Sequence, residues 1–166
     1  MPPSWVAALI EAVEAQPQIS TAKIRTGLSS DKVLAAIAPA LKALGYDVET
    51  GKEKAGKIRR PVLFGEQGKP ELEFQVDAVH DELGIIIEVE AGRGARGNAT
   101  YRDLIRAGLI VNARFLCLML PIAYRHNQSG REVSVAAYGE CSALLHAVYA
   151  SRRLTLPFEG VLLVGY

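Results

Sequence analysis

Several things are scarce in this chain, and each scarcity excludes a class of protein. Cysteine comes first: Cys117 and Cys141 are the only two in 166 residues. Two thiols make no disulfide framework. Cys117 lies in the apolar run Phe115-Leu116-Cys117-Leu118-Met119-Leu120 and reads as a buried thiol, so a reducing, cytoplasmic setting is expected. Long apolar runs are also missing. None reaches the roughly 20 residues that a spanning helix requires, so no membrane partner is expected. The opening MPPSWVAALIEAVEAQ has no basic stretch and meets acidic residues early, unlike a signal peptide. Net charge is nearly absent too, at +1. A strongly basic protein would have pointed to nucleic acid by its overall field, and this one does not. What is present is ordinary: 49% hydrophobic and 22% charged residues exclude disorder, collagen and coiled coil. The length suits one domain with a real core.

The distribution of charge says more than its sum. Lys52, Lys54, Lys57, Arg59 and Arg60 crowd one short stretch, and Arg93, Arg96, Arg102 and Arg106 crowd another. The acids concentrate between them, from Glu66 to Glu90. Local basic patches can hold phosphates even on a nearly neutral protein, although each patch alone reads better as a solvated, mobile loop.

Periodicity divides the chain into helices and strands. Val6, Leu9, Ile10 and Val13 form one helical stripe over Trp5 to Ala15. Ser30-Asp31 can cap a second helix with apolar positions Val33, Leu34, Ile37, Leu41 and Leu44, a stop at Gly45 and Pro39 placed to kink it. Tyr46, Val48 and Pro61 to Phe64 read as strands around the basic loop. Leu72, Phe74, Val76 and Ala78 alternate with Glu71, Glu73, Gln75 and Asp77, which predicts one half-buried strand. Ile85 to Val89 reads as a central strand. Thr100 and Asp103 have capping-box spacing and open a helix through about Val111. Arg114 to Leu120 is a further buried strand. A polar loop at His126 to Arg131, a short strand near Val133, a helix over 140–152 and a last strand over Val161 to Val164 complete the chain. The order is α, β, β, β, α, β, an α/β (α+β) fold with a mixed sheet flanked by helices. The chain reads as a single domain over 1–166: a helical extension over 1–30, a core over 31–121 and C-terminal additions over 122–166.

The acids of the two adjacent strands fall into register. With Asp81-Glu82-Leu83-Gly84 as the connecting turn, His80 faces Ile85, Val79 faces Ile86, Ala78 faces Ile87, and Asp77 faces Glu88. Opposed residues share a face, with Cβ atoms about 4.5–5.5 Å apart. Glu90, two residues beyond Glu88, shares it as well. Like charges opposed in this way destabilise a ladder, and a hard divalent cation offsets the repulsion. The rival reading is a solvated sheet face with unrelated acids. It fits poorly with a strand that begins Ile85-Ile86-Ile87 and so looks buried on both sides.

Val76-Asp77, a short hairpin and Glu88-Val89-Glu90 leading toward a helix resemble the PD-(D/E)xK signature of restriction-endonuclease-like nucleases. The resemblance spans roughly residues 31–121, whose α-β-β-β-α-β order is also that family's core. Two positions depart from the motif: Val76 stands in place of its proline, and Glu90 in place of its lysine, as in the BamHI-type branch. The resemblance implies Mg²⁺-dependent (or Mn²⁺-dependent) hydrolysis of DNA by a restriction or defence enzyme. Asp77, Glu88 and the carbonyl of Val89 would be metal ligands, and Glu90 would position or deprotonate the attacking water. It also implies a further acid, for which Glu49, Glu66 and Glu73 are candidates. Because cutting both strands needs two sites, a homodimer is expected by the same analogy.

Gly92-Arg93-Gly94-Ala95-Arg96-Gly97 formally matches a dinucleotide-binding loop, yet no Asp or Glu occurs from Leu104 through Ser129 to hold a ribose. The loop reads better as an arginine-bearing arm, with a plain surface turn as an equally open alternative. Arg93, Arg96 and Asn98 could contact the nucleic-acid backbone there, together with Lys54, Lys57, Arg59 and Arg60. Arg102 is a candidate for holding a catalytic carboxylate. The alternative is a non-catalytic DNA-binding protein, either an inactive nuclease relative or a winged helix-turn-helix module built from residues 5–45 with the Lys52 to Arg60 segment as its wing. His80, His126 and His146 lack metal-ligand spacing.

Overall fold

A computed structural model describes residues 1–21, 28–51, 53–91 and 99–166, with Lys54 described by its backbone alone. Two helices come first, α1 (Ser4–Glu14) and α2 (Ser30–Ala43). The side chain of Ser29, one residue before the expected cap, accepts a hydrogen bond from the Lys32 amide at 3.4 Å. Pro39 lies within α2 without dividing it, and Gly45, at a φ of 89°, follows the helix end. Then come β1 (Asp47–Val48), β2 (Ile58–Phe64), β3 (Pro70–Val76), β4 (Ala78–His80) and β5 (Ile85–Val89). Helix α3 (Ala99–Leu109) and strand β6 (Phe115–Leu120) follow. The chain closes with β7 (Tyr124–Gln128), β8 (Arg131–Val135), α4 (Ala137–Ser151) and β9 (Gly160–Gly165).

The sheet is mixed, in the order β1-β4-β5-β6-β9. The β1–β4 and β4–β5 pairs are antiparallel, whereas β6 runs parallel to β5 and β9 parallel to β6. Central strands buried on both faces read as unbroken apolar runs, and β6 is buried at every position. The two faces sort alternate residues into two cores. Ile85, Ile87, Val89, Cys117 and Met119 pack with α1 and α2 residues such as Leu9, Val33, Ile37 and Leu41. Ile86, Leu116, Leu118 and Leu120 pack with α3 and α4 residues such as Leu104, Ala107, Cys141 and Leu145. The result is helices on both sides of a mixed sheet. Strand β9 forms its edge and α4 covers one face, so the C-terminal segment belongs to this layered body. Among the described residues no helix is long and apolar enough to cross a membrane.

Four expectations are corrected. The strand foreseen over Leu72 to Ala78 is two strands that part at Asp77: β3 pairs only with β2, in a separate ribbon, and β4 enters the main sheet. That ribbon leans on the other side of the molecule. Pro61 O accepts from the Val111 amide at 3.0 Å, and the Arg106 guanidinium sits 5.1 Å from the Phe74 ring centroid. Helix α3 begins at Ala99, so Thr100 and Asp103 lie inside it and are buried rather than capping it. It also ends at Leu109, before Val111. The polar stretch expected as a loop at His126 to Arg131 is mostly a hairpin, with β7 and β8 paired from Tyr124↔Val135 to Gln128↔Arg131.

Candidate active site

The β4–β5 hairpin has the register expected from the sequence: Ala78↔Ile87, Val79↔Ile86 and His80↔Ile85. Gly84 closes the turn at a φ of 65°, and a Cβ there would lie 2.5 Å from the Asn112 carbonyl oxygen. The ladder ends at Ala78 because β3 turns away at Asp77, which leaves the next stretch of β5 without a strand partner on that side. The Asp77 side chain takes over. Its Oδ2 accepts from the Val89 amide at 2.7 Å, and its carbonyl accepts from the Glu49 amide at 2.8 Å. One aspartate therefore terminates one strand pair and tethers two others.

Asp77, Glu88, Val89 and Glu90 line one cavity of about 230 Å³, together with Gln75, Ser30 and three residues of α3: Arg102, Asp103 and Arg106. All three expected acids are thus in one pocket. Glu88 lies on the sheet face that carries Ile86, the face that α3 covers. At the end of β5, the Tyr166 hydroxyl donates to the Glu90 carbonyl at 2.6 Å. Arg102 reaches Glu90 Oε1 at 3.4 Å through Nη2 and Asp103 Oδ1 at 3.1 Å through Nε.

The electrostatics are those of a crowded, partly dehydrated acidic pocket. Burial pushes the Asp77 carboxyl up to about 6, and the charges of Glu49 and Asp103 add to this against the Val89 hydrogen bond. Burial first, then the Asp77 and Asp103 charges, holds Glu88 well above the usual carboxylate range. Burial, then a hydrogen bond between the Glu90 and Asp103 carboxyls and the Asp103 charge, raise Glu90 to about 7. Among the described residues, no three Asp, Glu, His or Cys side chains stand as a preformed ligand set for a metal.

The other expected site residues are scattered. Of the candidate fourth acids, Glu49 touches a pocket residue, Gln75, without lining the cavity itself. It is ion-paired with Lys57, and it accepts from Gln75 Nε2 at 2.7 Å. Glu66 and Glu73 are exposed on the β2–β3 ribbon and its turn. Lys57 is committed to Glu49. Arg60 grips both oxygens of Asp81, at 2.8 and 2.6 Å, and reaches Asp47 at 3.2 Å. Arg59 is exposed on β2. The Lys54 side chain and Arg93, Arg96 and Asn98 lie outside the described residues.

Sequence reasoning missed Asp103, Arg106 and Gln75 as pocket residues. A signal for Asp103 existed: it shares a helical stripe with the buried Thr100, Leu104 and Ala107, and an acid on an apolar stripe needs a partner. Compared with family models, curated proteins and solved structures, the chain matches none of them.

Proposed function

We propose that this chain is a divalent-cation-dependent nuclease that hydrolyses phosphodiester bonds in DNA, built on a restriction-endonuclease-like core. The observation that carries the reading is the convergence of Asp77, Glu88, Val89 and Glu90 on one polar cavity. The topology supports it. With the β2–β3 ribbon set aside, α2, β1, β4, β5, α3 and β6 follow the order α-β-β-β-α-β, with three antiparallel strands and then a parallel one.

The donor set suits Mg²⁺ or Mn²⁺. It is all oxygen, and its three acids are carboxylates whose burial disfavours the bare charge, which a hard cation relieves. Asp77 and Glu88, with the Val89 carbonyl, are the residues that would hold the ion. When bound, such a cation polarises a phosphate and acidifies water. The residues supply the rest. Glu90, with its proton affinity raised to about 7, is suited to take a proton from the attacking water near neutral pH. Arg102 and Arg106 border the cavity and can hold phosphate oxygens. Arg106 is braced by its bond to the Gln75 carbonyl at 3.3 Å. Arg59, with Lys54, Arg93, Arg96 and Asn98, is suited to track the backbone of DNA.

The test is a plasmid-nicking assay with Mg²⁺ or Mn²⁺ against a chelator control, with Glu90→Gln alongside. Metal-dependent nicking lost in the variant is expected. If carefully purified protein leaves duplex and single-stranded DNA uncut with both metals, the non-catalytic DNA-binding reading takes over. That second reading draws on one observation, the lack of a preformed ligand set among the described residues. Its winged-helix form fares worse, because α2 spends Val33, Leu34, Ile37 and Leu41 on the sheet and the β2–β3 ribbon leans on α3.

A further inference from the structure

We propose that Asp103 is a ligand of the same divalent cation as Asp77 and Glu88, so that the ion bridges helix α3 to strands β4 and β5. The proposal rests on the cation reading above and adds a residue from a different element, with a different structural cost if removed.

The argument begins with burial. Asp103 is only 3% exposed. Buried carboxylates are otherwise paired on both oxygens or bound to a metal, because an unpaired buried charge costs a large share of a small domain's stability. Asp103 Oδ1 has Arg102, but among the described residues no donor outside the acidic cluster reaches Oδ2. Arg102 is a weak counterweight, since its side chain is 55% exposed and its charge is largely screened by water. Asp103 also lines the acidic cavity. It shares that lining with Asp77, Glu88 and Glu90. A buried carboxylate oxygen in a cavity lined by three further carboxylates is the arrangement that a hard cation resolves.

The rival is a structural role, in which Asp103 exists to pair with Arg102 and dock α3. The full chain titrated with Mn²⁺, followed by calorimetry and by the electron paramagnetic resonance of free Mn²⁺, separates the two. Asp103→Asn should weaken Mn²⁺ binding by more than the about 10- to 100-fold that losing an outer-shell partner costs, as Asp77→Asn should. Arg102→Gln, which keeps the carboxylate and removes its competing cation, should bind Mn²⁺ more tightly than the parent. Parent-like binding by Asp103→Asn, while Asp77→Asn has lost it, overturns the role of Asp103 and leaves the cation reading standing. A parent that binds no Mn²⁺ overturns both. If Asp103→Asn is too unstable to titrate, Arg102→Gln decides. Tighter binding there supports the proposal, and weaker binding with an equally large fall in melting temperature assigns Asp103 to the ion pair and overturns it.

Discussion

Two charged clusters of this molecule make an instructive pair. On the β1–β4 side, Arg60 faces Asp81 and Asp47, all three within reach of water, and the guanidinium engages both Asp81 oxygens. At the far end of β4, four carboxylates meet in a cavity where the ion pairs to Glu90 and Asp103 both come from the exposed Arg102. The first cluster carries little uncompensated charge and is built to stay as it is. In the second, the carboxylates are largely shut off from water, and burial has pushed Asp77, Glu88 and Glu90 toward their protonated forms. A fold gains nothing by keeping such a group unless something else binds there. Perturbed acids in a cleft are candidates for function for that reason, whereas compensated surface pairs are not.

The largest test of this contrast is catalytic. Glu90→Gln should lower single-turnover cleavage of DNA by about 10²- to 10⁴-fold, the usual range for a lost general base. Asp81→Asn, which breaks the compensated cluster, should cut at the parental rate. Equal losses in both variants would dissolve the comparison. Next is the response to metal. Mg²⁺ at a hundredfold excess over its dissociation constant should stabilise the parent by about 2.7 kcal/mol. For a chain of this length that raises the melting temperature by roughly 5–11 °C, at about 2–4 °C per kcal/mol. Asp81→Asn should show the full rise and Asp77→Asn very little of it, as read by thermal melts with and without Mg²⁺.

The same contrast explains what the sequence could and could not disclose. The β4–β5 register was legible because it is local: a two-residue period, an Ile85-Ile86-Ile87 run and a Gly84 turn leave one pairing that buries the right face. The convergence of Asp77, Glu88 and Glu90 followed from it. The break at Asp77 was not legible, because the alternation runs unbroken through Val76-Asp77-Ala78. The ribbon beyond the break docks on α3 through Phe74 and Gln75 and on the segment after α3 through Pro61, approaches far apart in sequence. Asp103 was hidden by resemblance: Thr100 and Asp103 have the spacing of a capping box, and only the start of α3 at Ala99 shows them to be buried. The pairing of Arg60 with Asp81, and of Lys57 with Glu49, depended on tertiary approach and was equally out of reach.

Stability without metal gives a third, smaller effect, and here the two clusters should respond with opposite sign. Asp81→Asn removes a mostly exposed pair and should cost about 0.2–1 kcal/mol. Asp77→Asn should be neutral or stabilising at pH 7, because an amide oxygen still accepts from the Val89 amide while a disfavoured charge is gone. Asp77→Ala should lose about 1–3 kcal/mol by leaving that amide unpartnered. The pH profile sharpens the point. A carboxyl whose folded pKa is raised binds more protons in the native than in the unfolded chain, so the parent's stability falls as pH rises through the interval between them. With Asp77 near 6 and Glu90 near 7, that interval runs from about 4 to 7. Chemical denaturation across this range should show the decline, and Asp77→Asn should make it shallower. A parent whose stability rises over the same interval would mean that these acids are well compensated after all.

The smallest effect concerns which basic residues meet DNA. Adjacent residues on a strand point to opposite faces, so Arg59 and Arg60 on β2 have different surroundings. Arg60 is taken up by Asp81 and Asp47, and to touch a phosphate it would first have to leave a bidentate pair. Arg59 is exposed and can neutralise a phosphate directly. Removing one phosphate-neutralising cation flattens the dependence of log K on log salt by about 0.9 for duplex DNA. Arg59→Ala should show that flattening, which over a fourfold change in salt is about a threefold change in relative affinity. Arg60→Ala should leave the slope at its parental value while lowering stability slightly. Fluorescence anisotropy of labelled duplex across a salt series, in Ca²⁺ to suppress cleavage, measures both. A slope that falls for Arg60→Ala and not for Arg59→Ala would show that the compensated cluster opens on meeting DNA, and the distinction drawn between the two clusters would then hold only for the free protein.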